Sequence, residues 1–146
     1  MSAPASPSPN AHKLRMALVF RADLPEMHFA KSEIQAAHAA CDLAYRLCKA
    51  DMALMDRYMA ENQMKLNYEV DSLDELLAIE AKAKQRGVPQ SLIQDAAHTV
   101  FKEPTTTCLI LGPMTKTDGN ALLRNARRRG PPEPADDAAT KPAPGC

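Results

Sequence analysis

Apolar residues recur along this chain in two rhythms, one of strands and one of helices. Met16-Ala17-Leu18-Val19-Phe20 is an unbroken apolar run, the pattern of a strand buried on both faces, and it ends at Arg21-Ala22-Asp23-Leu24-Pro25. From Ala30 to Ala50, Ile34, Ala37, Cys41, Tyr45 and Cys48 recur at helical spacing, predicting an amphipathic helix with these residues as its apolar face. Asp51 to Asn62 continues helically, with Met52, Met55 and Met59 as a second apolar stripe. Lys65 to Val70 alternates, placing Leu66, Tyr68 and Val70 on one side of a strand. Ser72 with Glu75 three residues on reads as a capping box opening a helix to Arg86, where Gly87 ends it. Pro89 to Gln94 and Thr107 to Leu111 read as short strands, the second terminated by Gly112-Pro113. Thr115 to Arg129 reads as a last, weakly apolar helix.

This order of elements predicts an α/β fold, a single three-layer domain of about four strands with helices on both faces. Both ends differ from the middle. Met1 to Asn10 is Pro, Ser and Ala with no large aliphatic residue after Met1, and Gly130 onward is again Pro and Ala with scattered charge. Neither end can bury enough apolar surface to offset the entropy of ordering. The expected division is therefore a disordered tail over 1–12, a folded domain over 13–129 and a second disordered tail over 130–146.

Charge narrows the function classes. The 18 basic and 18 acidic residues cancel, which argues against a generic polyanion binder but leaves room for local basic patches. Two such patches are visible: Arg124, Arg127, Arg128 and Arg129 near the end, and Lys13, Arg15 and Arg21 around the first strand. Cys41 and Cys48, seven apart on one helix, read as small core residues in a reducing compartment. The run from Met16 to Phe20 is too short for a membrane span or a signal-peptide core. A soluble, cytoplasmic protein is expected, with mitochondrial residence as the alternative.

Two polar groupings could carry chemistry. Lys31, Gln35 and His38 fall at i, i+4 and i+7 on one side of the first helix, beside its apolar stripe. They form either a solvated helix edge or a stripe overhanging a cleft, where Lys31 supplies fixed positive charge and His38 an imidazole. Ser91 to Thr99 places Asp95, His98 and Thr99 just after a strand end, where ligands gather in open α/β sheets. The same residues could instead cap a turn. Thr107 reads as a strand residue before it reads as a catalyst. No GxxxxGK, GxGxxG or GxSxG is present, and His12, His28, His38 and His98 show no zinc-ligand spacing.

Taken together, these segments resemble the type 2 peptidyl-tRNA hydrolases, the form shared by archaea and eukaryotes. Met16-x-Leu18-Val19-Phe20-Arg21-x-Asp23-Leu24 is similar to that family's first strand and its R-x-D-L exit. Lys31-x-x-x-Gln35-x-x-His38-Ala39-Ala40 is similar to its K-x-x-x-Q-x-x-H-A-A helix. Gln94-Asp95-Ala96 with Thr99, then Thr107 and Gly112-Pro113, follow its QDAGRT and T-x-x-x-x-G-P elements at matching spacing. The resemblance implies a mixed sheet sandwiched by helices and hydrolysis of the ester joining a peptidyl group to the terminal ribose of tRNA, as in tRNA recycling during translation. It implies peptidyl-tRNA as partner, a possible homodimer, and no metal or other cofactor.

Carried over by motif, the catalytic residues would be His38, Asp95, Thr99, Thr107 and Lys31, with Gln35, Lys31 and Arg21 binding substrate. In that role Asp95→Ala should abolish turnover at a nearly unchanged thermal midpoint. The chain departs from the family pattern in three places. Pro25 to Ala30 replaces a Gly- and Lys-rich loop, Ala97-His98 stands where the family has Gly-Arg, and the C-terminal helix gives way to the Arg cluster. These departures leave an alternative open: a catalytically weak or inactive relative acting as an RNA- or protein-binding module.

Overall fold

The computed structural model of the protein describes residues 13–97 and 101–130. The expected tails, Gly130 apart, lie outside the described residues. Five strands form one sheet: β1 (Arg15–Arg21), β2 (Met64–Val70), β3 (Gln90–Asp95), β4 (Thr105–Met114) and β5 (Arg127–Arg128). Four helices connect them: α1 (Phe29–Ala50), α2 (Met52–Ala60), α3 (Leu73–Gln85) and α4 (Lys116–Leu122). The strand order is β3-β4-β1-β2-β5. β1 and β2 run parallel across the long helical crossover, and every other pairing is antiparallel, so the sheet is mixed and open.

The unbroken apolar run of β1 is buried on both faces because successive side chains point to opposite sides of a strand. Ala17 and Val19 join Leu76, Ile79 and Ala83 of α3 and Leu122 of α4. Met16 and Phe20 join Ala39, Leu43 and Leu47 of α1 and Tyr58 of α2. Three layers result, with about one more strand than the sequence suggests.

The first helix spans nearly the predicted residues but presents another face. Its buried line is Ser32, Gln35, Ala39, Leu43 and Leu47, whereas Ala37, Cys41, Tyr45 and Cys48 are exposed and Ile34 keeps 55% of its surface in water. Two leucines, with Ala36, Ala39 and Ala40 small enough to let the helix sit close on the sheet, outweigh the chosen stripe. Cys41 and Cys48 are thus exposed thiols, and among the described residues Cys108 is the buried one.

α2 is a separate helix restarted by Asp51, whose side chain accepts from the Leu54 amide at 3.1 Å. Tyr58, not the methionine stripe, anchors it. The phenol is buried and donates to the Met64 carbonyl at 3.0 Å, while Met52 and Met59 are exposed. At α3, the Ser72 hydroxyl accepts from the Glu75 amide at 3.2 Å as expected. The Glu75 carboxylate, however, reaches back to the Asp71 amide, one residue earlier than a capping box requires.

β4 does not stop at Gly112-Pro113 but continues to Met114. Gly112 adopts φ +106, and a Cβ there would lie 2.5 Å from the Arg15 carbonyl oxygen, so glycine lets the strand pass close to β1. The predicted last helix ends at Leu122. Beyond it, Arg127 and Arg128 form β5 because β2 and the residue after it offer partners: Arg127 pairs with Asp71 at 2.8 Å and with Glu69 at 3.2 Å, and Arg128 lies over the Tyr68 ring.

Candidate active site

The first turn of α1 begins at His28, whose Nδ1 accepts from the Lys31 amide at 3.3 Å. Lys31 extends from that turn to the end of β3, where its Nζ lies 2.6 Å from Asp95 Oδ2. One turn further along α1, Gln35 is turned inward. Its Nε2 donates to the same Asp95 oxygen at 3.0 Å, and its Oε1 accepts from the Thr107 hydroxyl at 2.6 Å. Both ends of the amide are engaged, which offsets the cost of burying it.

Thr107 reaches Gln35 because of a sheet irregularity. Ile93 pairs with Cys108 and Gln94 with Thr106, so Thr107 is the extra residue of a β-bulge. The bulge re-aims its side chain toward α1, as bulges next to functional sites commonly do. On the other side of Asp95, Oδ1 accepts from the Ala97 amide at 2.8 Å. Ala97 holds φ +68, a left-handed conformation that a non-glycine residue adopts at a cost.

Lys31, Ile34, Gln35, His38, Gln94, Asp95 and Ala96 line an open cleft of about 380 Å³. His38 stands exposed on its wall with no hydrogen bond or ion pair among the described residues. A second cleft of about 660 Å³ adjoins it through the shared Gln94 and is lined by Arg21 and Phe101, among others. The Arg21 guanidinium is held by both Asp23 oxygens, at 2.9 and 2.8 Å, and donates to the Thr106 carbonyl at 3.1 Å. The hydrogen bonds from Arg21 hold the Asp23 carboxyl below its usual range and raise the guanidinium further.

The structure therefore brings Lys31, Gln35, Asp95 and Thr107 into one connected polar line, with His38 on the same cleft. Arg21 lies at the neighbouring cleft, and Thr99 is outside the described residues. Lys31, Gln35 and His38 do not form one solvated edge: Gln35 is buried, Lys31 half-buried and His38 exposed. Thr107 is fully buried and does not line the cleft, so it touches the site through Gln35. Lys31, the lysine of the family-like helix motif, supplies a cation directly at Asp95. No group of three His, Cys, Asp or Glu side chains among the described residues is placed to hold a metal ion.

The family model described as Peptidyl-tRNA hydrolase PTH2 matches residues 14–126, most of the chain and nearly all of the described domain. The chain belongs to this family. Among its relatives, a peptidyl-tRNA hydrolase of Thermococcus sibiricus is 30% identical over 115 residues, covering 79% of this chain and 97% of the relative. One from Thermoplasma volcanium is 34% identical over 100 residues, covering 68% and 85%. One from Nanoarchaeum equitans is 39% identical over 79 residues, covering 54% and 69%.

Within this peptidyl-tRNA hydrolase domain, the sequence reading missed three contributors. Ile34, assigned to the core, lines the cleft instead. Gln94 joins the two clefts, and the ring of Phe101 lies 5.9 Å from Lys31 Nζ. Gln94 adjoins the motif aspartate and could have been included on that ground. Nothing in the sequence distinguished Ile34 or Phe101 from ordinary core residues.

Proposed function

We propose that this chain hydrolyses peptidyl-tRNA at the cleft between α1 and the end of β3. The reading rests on membership of the peptidyl-tRNA hydrolase PTH2 family. The observation that carries the site assignment is the Lys31–Asp95–Gln35–Thr107 line beside an exposed imidazole. A water molecule attacks the ester carbonyl carbon, and its proton passes to a base formed or oriented by His38 and Asp95. The tetrahedral oxyanion then collapses and expels the ribose oxygen, which takes up a proton. The products are a free peptide carboxylate and a tRNA with its terminal hydroxyl restored.

In this scheme Lys31 offsets oxyanion or phosphate charge in a partly water-excluded site, where a fixed cation is worth more than in bulk water. Gln35 holds Asp95 in place, and Thr107 holds Gln35. Thr99 joins the scheme by motif alone, positioning water or substrate. Arg21 shapes the neighbouring cleft, which would receive another part of the substrate. A cytoplasmic location and a homodimer belong to the same proposal; sedimentation of the full chain tests the second.

A binding module on an inherited enzyme fold is the rival. It is favoured by His38 standing without a hydrogen-bond partner among the described residues, and by Arg127 being committed to Asp71 and Glu69. Hydrolysis of N-acetylated aminoacyl-tRNA, with His38→Ala and Asp95→Ala assayed in parallel, separates the two. Turnover lost in both variants supports the hydrolase. Salt-dependent tRNA binding without turnover by folded wild-type protein supports the module.

A further inference from the structure

Arg129 lies beyond the residues matched by the family model, yet it reaches the helix that carries Lys31. Its backbone amide donates to the Asn67 carbonyl at 2.8 Å, which seats it beside β2. The guanidinium carbon lies 4.5 Å from the centre of the Phe20 ring, Nε is 3.9 Å from Glu69 Oε2, and Nη2 donates to Ser32 Oγ at 3.3 Å. Ser32 is buried next to Lys31 in the first turn of α1. Its hydroxyl lies 2.9 Å from the Phe29 carbonyl and 3.2 Å from the His28 carbonyl. A continuous polar line thus runs from the last strand into the first turn of α1.

We propose that Arg129 is a positioning residue: it pins the first turn of α1 to the sheet and so sets where Lys31 meets Asp95. The inference rests on the reading of Lys31 and Asp95 as catalytic groups. Arg129 is held on three sides, by a ring face, a carboxylate and a hydroxyl, and its side chain keeps 27% of its surface in water. That is a fixed strut rather than a free cation reaching for a phosphate. The first turn of α1 carries no acidic residue, and a cation near a helix N-terminus is disfavoured by the helix dipole. Glu69 beside Arg129 and Asp95 beside Lys31 supply the countercharges.

Arg129→Gln and Arg129→Lys test the proposal, with Arg127→Gln as a control for general loosening of β5. Two readouts are taken on the full chain: steady-state hydrolysis of N-acetylated aminoacyl-tRNA and amide hydrogen exchange in α1. Arg129→Gln should lower kcat about 10-fold at nearly constant KM, because small misplacements of a catalytic group are costly. Exchange at the Ser32 amide, which bonds the His28 carbonyl, should speed up while the middle of α1 is unchanged. Arg129→Lys should resemble Gln, because lysine keeps the charge but lacks the planar fork. Ser32→Ala should add little to Arg129→Gln if the two act in series.

A raised KM at constant kcat, with wild-type-like behaviour of Arg129→Lys and a salt slope reduced by about one, would identify a phosphate contact and overturn the proposal. Equal effects of Arg127→Gln and Arg129→Gln on exchange would overturn it too. If wild-type protein shows no turnover at all, the hydrolase reading fails, and exchange alone decides whether Arg129 holds the helix.

Discussion

Lys31 Nζ and Asp95 Oδ2 lie 2.6 Å apart with only 11% and 7% of the two side chains exposed, and Gln35 donates to the same oxygen. A pair this sheltered bears on stability as well as on the proposed chemistry. Removing one partner leaves the other charge poorly solvated, which costs several kcal/mol in buried pairs.

Asp95→Ala should therefore abolish turnover and also lower the thermal midpoint, contrary to the expectation from sequence. The loss should be about 2–4 kcal/mol, below the fully buried range because both groups retain some contact with water. Adding Lys31→Met should recover part of that stability and none of the activity. Paired thermal melts and turnover assays check this. Recovery of activity in the double variant would show that neither charge takes part in the reaction.

Thr107→Val keeps the side-chain shape and removes the hydroxyl that binds Gln35 Oε1. An unsatisfied buried acceptor costs about 1–3 kcal/mol, so stability should fall by that order. The Gln35 amide also loses one of its two anchors and can swing away from Asp95, so turnover should fall as well, while Thr107→Ser retains both. Denaturant midpoints and kcat measure the two effects. A Val variant with wild-type kcat would confine Thr107 to the sheet.

Ala97, two residues after Asp95, bears φ +68. Ala97→Gly removes a left-handed penalty of about 1–2 kcal/mol, partly offset by the greater freedom of glycine in the unfolded chain. The net effect should be a slightly higher thermal midpoint. A lower midpoint would mean that the backbone at this position is not strained.

Burial pushes the Cys108 thiol up to about 12, against the pull of Thr107 and Arg129, and burial raises the Tyr58 phenol to about 12 as well. Both groups hold their protons more tightly in the folded state. Their contribution is therefore complete below the ordinary thiol value of 9.0 and the ordinary phenol value of 10.0, and is lost as pH rises toward 12. Thermal midpoints should fall steeply above about pH 9. Cys108→Ala should lower the neutral-pH midpoint by leaving a small void yet fall less steeply in alkali. Parallel curves for the two proteins would contradict this.

The elements were legible where patterning and backbone preference agreed. The apolar run of β1, the Ser72 cap and Gly87 all lie where sequence places them. The buried face of α1 was not legible, because tyrosine and cysteine were weighed as apolar while Gln35 and Ser32 were not expected in the interior. Gln35 is tolerated there because Asp95 and Thr107 bind it, and Ser32 because the Phe29 and His28 carbonyls and Arg129 do; the distant partners are 60, 72 and 97 residues away in sequence. The end of the predicted final helix becomes a strand for a similar reason, since β5 depends on Glu69 and Tyr68 of β2 and on Asp71 just beyond it. Lys31, Gln35, Asp95 and Thr107, which the structure brings into contact, could be named from motif spacing. Their order of contact, with Lys31 and Gln35 on Asp95 and Thr107 behind Gln35, required the bulge in β4.

Single-turnover cleavage of N-acetylated aminoacyl-tRNA by wild-type protein and by Asp95→Asn decides whether Asp95 acts in hydrolysis, since asparagine keeps the shape of Asp95 and removes its charge. The wild type should cleave, and the variant should be slower by at least about 100-fold, the order expected for loss of a group acting in proton transfer. Wild-type rates from Asp95→Asn, or no cleavage by wild-type protein that is demonstrably folded, would contradict it.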